Sequence, residues 1–298
     1  VRQKKVSRFI LEAMDSPGTP LTAPVKSSPM EVIRRNAPAE KVSGSKGSSS
    51  ITPAAGGLLK LNSYQIDDYK TCPLKYKYIH ILNVPVLPHH SIIYGKAIHD
   101  AISTFFNKKM EGEDLSIERL ITTFEASWKG EGFVTREHEL KRLEAGKEAL
   151  RRFYHSQEEA GITPSAVEKS FVFETGDNII KGRWDLIEER ADGPYIIDFK
   201  TSEIKEQKKA DDRARKSIQL NLYVIAYREC FNKMPAGAEL HFLESGLVGN
   251  ASPGEKEIAK TLEIVEKVAS GIRAADYTAR PDYLNCSYCP FTSICTEK

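Results

Sequence analysis

One cysteine near the start of the patterned part of the chain and three at its very end set the strongest constraint on the fold. Cys72 stands in Lys70-Thr71-Cys72-Pro73-Leu74, and Cys286, Cys289 and Cys295 close the sequence, with 213 residues between Cys72 and Cys286. If the four thiolates share a metal, the two ends of a domain must meet. Five cysteines in 298 residues do not resemble a secreted disulfide framework, which favours short chains and even counts. In a reducing cytosol clustered thiols more often bind metal. Four of them suit either Zn²⁺ or an iron–sulfur cluster, and spacing alone does not choose. Structural zinc usually takes two close pairs, so one thiol plus three is unusual for it. The fifth, Cys230, lies on an expected helix beside Tyr227 and Phe231 and reads as a buried free thiol.

The chain carries its charge unevenly. Its net charge is +2. Residues 1–60 hold ten Lys/Arg and four Asp/Glu, and the remainder holds 33 against 37. Bulk charge of the later part therefore gives no argument for a nucleic-acid partner. No apolar run approaches the roughly 20 residues of a membrane helix, and no signal peptide opens the chain. A cytoplasmic protein without a membrane partner is the expectation. The first residue is Val1, which reads as a piece of something longer.

Three segments are expected. Residues 1–18 include a short helix over 1–14. Residues 19–57 are rich in Ser, Pro, Gly, Ala and Lys and read as a flexible linker, or equally as a tail without a role. Residues 58–298 form the ordered domain. There Asn62 caps a helix through Ile66 and Tyr69, with Gln65 in the capping-box position, and Pro73 ends it. Helices follow at 91–108, 116–129 and 137–158. Strands come next at 167–174, 179–188 and 195–200, consecutive and antiparallel, the last two separated by Ala191-Asp192-Gly193-Pro194. A helix over 213–231, a strand over 238–245 and a helix over 254–272 complete the pattern. The fold class is α/β, a mixed sheet flanked by helices.

The chemistry concentrates on two strands. Asp198 and Lys200 flank Phe199, so both point to one face. Asp185 falls on the preceding strand. In a hairpin the two carboxylates can converge at one edge of the sheet. Mg²⁺ takes one or two carboxylates with water and phosphate. Such an ion lowers the pKa of bound water and offsets charge in phosphoryl transfer, and a lysine beside it can stabilise the developing negative charge. The competing reading is a surface Asp–Lys pair at a strand end, worth little. The apolar approach Ile196-Ile197 favours the site, because a charge at the edge of a core needs a partner or a metal. His99 on the long helix is a further ligand type. Gln219 and Tyr223, four apart, share a helix face. Glu168 begins the first strand and reads as a solvent-facing strand-end residue, or as an added acidic group.

In order and spacing, Gly95-x-x-x-His99, Gly182-Arg183-Trp184-Asp185, Ile197-Asp198-Phe199-Lys200-Thr201 and Gln219-x-x-x-Tyr223 resemble the motifs of the PD-(D/E)XK nuclease superfamily, and of its RecB-like branch. The resemblance covers residues 60–298. It implies a restriction-endonuclease-like fold and metal-dependent DNA cleavage, as an exonuclease more than an endonuclease, in repair or recombination. It implies that His99, Asp185 and Asp198 hold Mg²⁺ or Mn²⁺, that Lys200 serves the attacking water, and that Gln219 and Tyr223 position the site and its DNA. Trp184 stands where a smaller residue is frequent, which bears on substrate fit. The one-plus-three cysteines resemble the [4Fe–4S] staple of AddB-type and CRISPR-associated nucleases, with structural Zn²⁺ as the alternative.

Ser7-Arg8-Phe9 resembles the segment closing the motor domain of UvrD/PcrA-like helicases, which implies an upstream helicase as partner. The run 203–216 holds six basic and four acidic residues, and reads as a phosphate contact or as a solvated mobile segment. A non-cleaving DNA-binding or scaffolding module is the alternative function.

Overall fold

A single long strand organises the sheet. The computed structural model describes residues 57–86, 89–160 and 164–297, so the helix expected at 1–14 and the linker expected through residue 57 lie outside them, apart from Gly57. Strand β3 (Asn178–Arg190) pairs along one edge with β2 (Ala166–Thr175), antiparallel, with Phe171 opposite Gly182. Its other edge is divided. Beyond Asp185 it takes β4 (Gly193–Lys200), antiparallel, with Leu186 opposite Ile197. At its start it takes β1 (Leu59–Leu61), parallel, with Leu61 opposite Ile180. Residues 181–185 face no strand on that side among the described residues, and this gap is where the cleft opens. β4 continues into parallel pairing with β5 (Gly237–Phe242), which pairs antiparallel with β6 (Leu247–Ala251). The result is a six-stranded mixed sheet.

Helices cover both faces, as the expected α/β class requires. Helix α1 (Ser63–Thr71) starts at the expected capping box: Gln65 N–H donates to Asn62 Oδ1 at 2.9 Å, and Asn62 N–H donates to Gln65 Oε1 at 3.1 Å. Pro73 ends this helix and also opens the next, since its missing N–H costs nothing at a first helical position. Helix α2 (Pro73–Tyr76) runs into a π-helical turn, Lys77–Ile81. Helix α3 (His90–Met110) buries Ile93, Tyr94, Ala97, Ile98, Ala101, Ile102, Phe105 and Phe106, a broad apolar stripe. With α4 (Ile117–Ser127) and α5 (Arg136–Ala160) it packs on the sheet face that carries Leu186, Ile197 and Phe199.

The opposite face carries Ile180, Trp184, Ile187 and Ile196 beneath α1 and two later helices. The helix expected over 213–231 is in fact two, α6 (Gln207–Arg215) and α7 (Ile218–Phe231). Ser217 is the cause: its hydroxyl accepts the Leu220 N–H at 3.1 Å and caps a new helix rather than continuing the old one. The segment 203–216, one reading of which was a mobile run, is thus largely helical. The strand expected over 238–245 stops at Phe242, turns through Gly246 at φ +71°, and returns as β6, which the sequence pattern did not reveal. Gly249 lets β6 approach α6, because a Cβ there would collide with the Ala210 carbonyl. Helix α8 (Glu255–Arg273) and the short α9 (Tyr283–Ser287) finish the chain. No helix among the described residues is long and apolar enough to cross a membrane.

Candidate active site

Strict alternation along β2 and β3 fails at one paired position. Ile180 and Trp184 face the α7 side, yet so does Ile187, while Leu186 faces the α3 side. In β2, Phe171 and Phe173 face α7, but Ala166 packs on that side and Val167 on the other. Both strands slip by one residue while their register is unchanged, and the pair that would sit at the slip, Glu168 with Asp185, is missing from the ladder. Glu168 takes φ +49°, a left-handed conformation that a glutamate adopts at a cost of about 1 kcal/mol. The slip turns both carboxylates out of the packing and toward the gap in β3.

His99 arrives there from α3. Its Nε2–H donates to the Phe199 carbonyl oxygen at 3.0 Å, which leaves Nδ1 as the lone-pair nitrogen of the neutral ring. Nδ1 lies 3.5 Å from Asp185 Oδ2. One ligand atom each from His99, Glu168 and Asp185 lies within 4.8 Å of the others. Two electron pairs held face to face call for a proton or a cation between them. Asp185 Oδ2 also accepts the Phe199 N–H at 3.0 Å, so the carboxylate replaces the next rung between β3 and β4. Burial first, and the neighbouring Asp198 second, push the Asp185 carboxyl well above the usual aspartate range.

Asp198 and Lys200 project on the α7 side. Asp198 is 1% exposed, and Lys200 Nζ lies 2.5 Å from its Oδ2. Lys200 also donates to Gln219 Oε1 at 2.7 Å, and Gln219 Nε2 donates to the Tyr223 hydroxyl at 2.8 Å. Burial lowers the lysine's proton affinity, but the charges of Asp198 and Asp185 outweigh it and the ammonium is held above its ordinary range. Burial, with the same two carboxylates, raises Tyr223 and keeps its phenol protonated.

The six residues read from the sequence (His99, Asp185, Asp198, Lys200, Gln219 and Tyr223) therefore line one cleft of about 1140 Å³. They form two linked groups rather than one: His99 with Asp185, and Asp198 with Lys200, Gln219 and Tyr223. Glu168 joins the first group and is ion-paired with Arg183, so it is not a solvent-facing strand end. Its only sequence signal is an acidic residue at the start of the first strand. Trp184 lies outside the cleft. It is 1% exposed, packs on Phe171, Tyr227 and Phe231, and donates its indole N–H to the Tyr223 carbonyl at 3.0 Å. The expected influence on substrate fit is corrected: Trp184 is core, and supports α7 from below. Gly182 is glycine because the Phe171 ring fills the place of a Cβ.

Cys72, Cys286, Cys289 and Cys295 line a second cavity of about 330 Å³ with Tyr78 and Phe291. All four are free and partly buried. Cys230, expected to be buried, is exposed, since the end of α7 runs past the core.

A family model for the PD-(D/E)XK nuclease superfamily matches residues 60–296. Two solved structures are similar: a candidate exonuclease from Eubacterium rectale, 11% identical, TM-score 0.49, covering 76% of this chain and 85% of that one, and SSO0001, 14% identical, TM-score 0.36, covering 76% and 95%. No curated protein sequence matches. The chain belongs to the PD-(D/E)XK nuclease superfamily.

Proposed function

We propose that this member of the PD-(D/E)XK nuclease superfamily is a divalent-metal-dependent deoxyribonuclease, an exonuclease of the RecB-like branch acting on single strands or duplex ends in repair or recombination. The observation that carries this reading is the His99 Nδ1 and Asp185 Oδ2 pair, with Glu168 beside it, next to a buried Asp198–Lys200 pair in one cleft. The donor set fits Mg²⁺ or Mn²⁺: carboxylate oxygens with one imidazole. His99, Asp185, Asp198 and Glu168 would hold the ion. When bound it supplies a more acidic water and charge neutralisation at the phosphate.

The remaining work falls to the chain. His99 is fixed in one tautomer by the Phe199 carbonyl, which spares a reorientation on binding. The Lys200 ammonium can donate to the attacking water or to the phosphate oxygen on which charge develops. Gln219, anchored by Tyr223, holds that ammonium in place. Single-strand or frayed-end substrates suit the cleft's rim, where Tyr64 (70% exposed), Ile92 (67%) and Val172 (62%) offer apolar surface to unstacked bases.

The cysteine cavity is read as the seat of a structural [4Fe–4S] cluster, with Zn²⁺ as the alternative. Zinc needs four sulfurs about 3.8 Å apart. The four thiols share a cavity, yet no three of them gather within 4.8 Å among the described residues. The one-plus-three spacing of the cysteines favours the cluster, since structural zinc usually takes two close pairs. The upstream helicase partner rests on the Ser7-Arg8-Phe9 resemblance and the composition of residues 19–57 alone.

The test is cleavage of end-labelled single- and double-stranded DNA with Mg²⁺ or Mn²⁺, beside Lys200→Ala. Metal-dependent cleavage that the variant loses by at least about a hundredfold supports the reading. A folded, metal-replete wild type that binds DNA without cutting it makes the domain a binding module instead.

A further inference from the structure

We propose that a second, basic cavity adjoining the active-site cleft is a seat for a nucleic-acid phosphate away from the scissile bond. The ligand class rests on the nuclease reading; the cavity itself does not.

The cavity holds about 580 Å³ between α1 and the α6–α7 corner, and Lys70, Arg213 and Lys216 line it. It shares Lys200 and Gln219 with the active-site cleft, so the two spaces meet along one rim. Its lining has four cations and two carboxylates, Asp67 and Asp212. Neither carboxylate cancels the excess. Asp212 is 2.5 Å from Arg215, outside the lining, which leaves Asp67 to face four cations. Lys70, Arg213 and Lys216 form no ion pair within 4 Å among the described residues. Elsewhere on α6 the pattern differs, as Lys209 pairs with Glu206 at 2.5 Å and Arg215 with Asp212. Arg213, the α6 cation that lines the cavity, has no such partner, and neither does Lys208 outside it.

This arrangement has a physical use. Asp198 and Glu168 would repel a polyanion entering the cleft without metal. A positive seat one step along the strand offsets that repulsion and holds the backbone in register. The first turn of α7 lies in the same wall and adds a weaker attraction for an anion.

The experiment measures binding of a dye-labelled oligothymidylate in EDTA, where no metal-dependent cutting occurs, as salt is varied. Each phosphate neutralised on a single strand contributes about 0.7 to the slope of log K against log salt. Lys70→Gln, Arg213→Gln and Lys216→Gln combined are expected to lower the slope by about 2. All three are exposed, Lys70 on α1, Arg213 on α6 and Lys216 in the turn after it, so the fold should survive. The control removes three exposed lysines of α8, Lys256, Lys260 and Lys267, and is expected to keep the wild-type slope.

Oligonucleotides with a hydroxyl, a 5′-phosphate or a 3′-phosphate at the unlabelled end separate the two sources of phosphate. Equal losses on all assign an internal phosphodiester; losses confined to a phosphorylated end assign a terminal phosphate. A cavity triple variant with the wild-type slope on every probe, or a loss matched by the control, overturns the proposal. The nuclease reading falls separately, on a wild type that shows this binding and cuts nothing.

Discussion

Lys200 on β4 and Gln219 on α7 meet at 2.7 Å across the sheet–helix boundary, and Gln219 is held in turn by Tyr223 at 2.8 Å. The ammonium is therefore fixed from two sides, by Asp198 and by an uncharged helix residue. A hydrogen bond to a charged group is worth about 1.5–3 kcal/mol. Gln219→Ala is expected to lower turnover by about ten- to a hundredfold with little change in melting temperature. Tyr223→Phe removes only the anchor of the anchor and should cost less than about tenfold. A Gln219→Ala enzyme with wild-type turnover at saturating oligonucleotide would remove the positioning role.

Asp185 couples activity to pH and stability. Its folded carboxyl titrates well above the ordinary aspartate value, by burial and by Asp198. Without metal the folded chain keeps a proton there that the unfolded chain loses near pH 4. The native state then binds more protons, so stability falls as pH rises from about 4 toward the raised value. Asp185→Asn removes this loss and keeps an oxygen for the Phe199 N–H. It is expected to be inactive, yet about 1–2 kcal/mol more stable than wild type at neutral pH in EDTA. The gap should close below about pH 4, and saturating Mg²⁺ should narrow it. Urea midpoints at several pH values measure this; a variant no more stable than wild type at neutral pH contradicts it.

Glu168 pays a backbone cost to reach the cleft, and its carboxylate lies with His99 and Asp185. Glu168→Gln keeps the size and the hydrogen-bonding capacity but removes one charge. Mn²⁺ affinity by calorimetric titration is expected to fall about tenfold or more. Arg183, then unpaired, should leave stability within about 1 kcal/mol because the pair is largely exposed on the arginine side. An unchanged Mn²⁺ affinity would return Glu168 to a merely structural role.

Much of this was legible because the site lies on strong periodic elements. The Asn62 capping box, the α3 stripe and the three consecutive strands each follow from local pattern, and the D-x-K face of Asp198 and Lys200 follows from strand geometry alone. What the pattern missed depends on tertiary contacts. β1 is three residues long and β6 contains Gly249, so neither has enough alternation to read. Ser217 splits a helix through one side-chain hydrogen bond within an otherwise continuous run. Glu168 enters the site only through a strand slip that two chains of packing impose together. Trp184 bears on the core rather than on substrate fit, because it keeps the alternation of Ile180 and packs beneath α7, a contact the motif alone does not show.

The cysteine cavity makes the last prediction separable from all the others. Cys72 precedes α2, and Cys286, Cys289 and Cys295 lie in and after α9, so a shared metal group would close a loop of over two hundred residues. Losing such a tie frees both segments at once, whereas Cys230 sits exposed at the end of α7, away from them. Cys72→Ser in anaerobically purified protein is expected to abolish visible absorbance and iron content. It should also lower the melting temperature by several degrees, since 2–4 kcal/mol of a constraint corresponds to roughly 4–16 °C at this size. Cys230→Ser should match wild type in colour, iron and melting temperature. A colourless wild type with one bound zinc that Cys72→Ser loses would assign the zinc alternative. A wild type free of both metals, with Cys72→Ser as stable as the parent, would leave the four thiols as neighbours without a shared ligand.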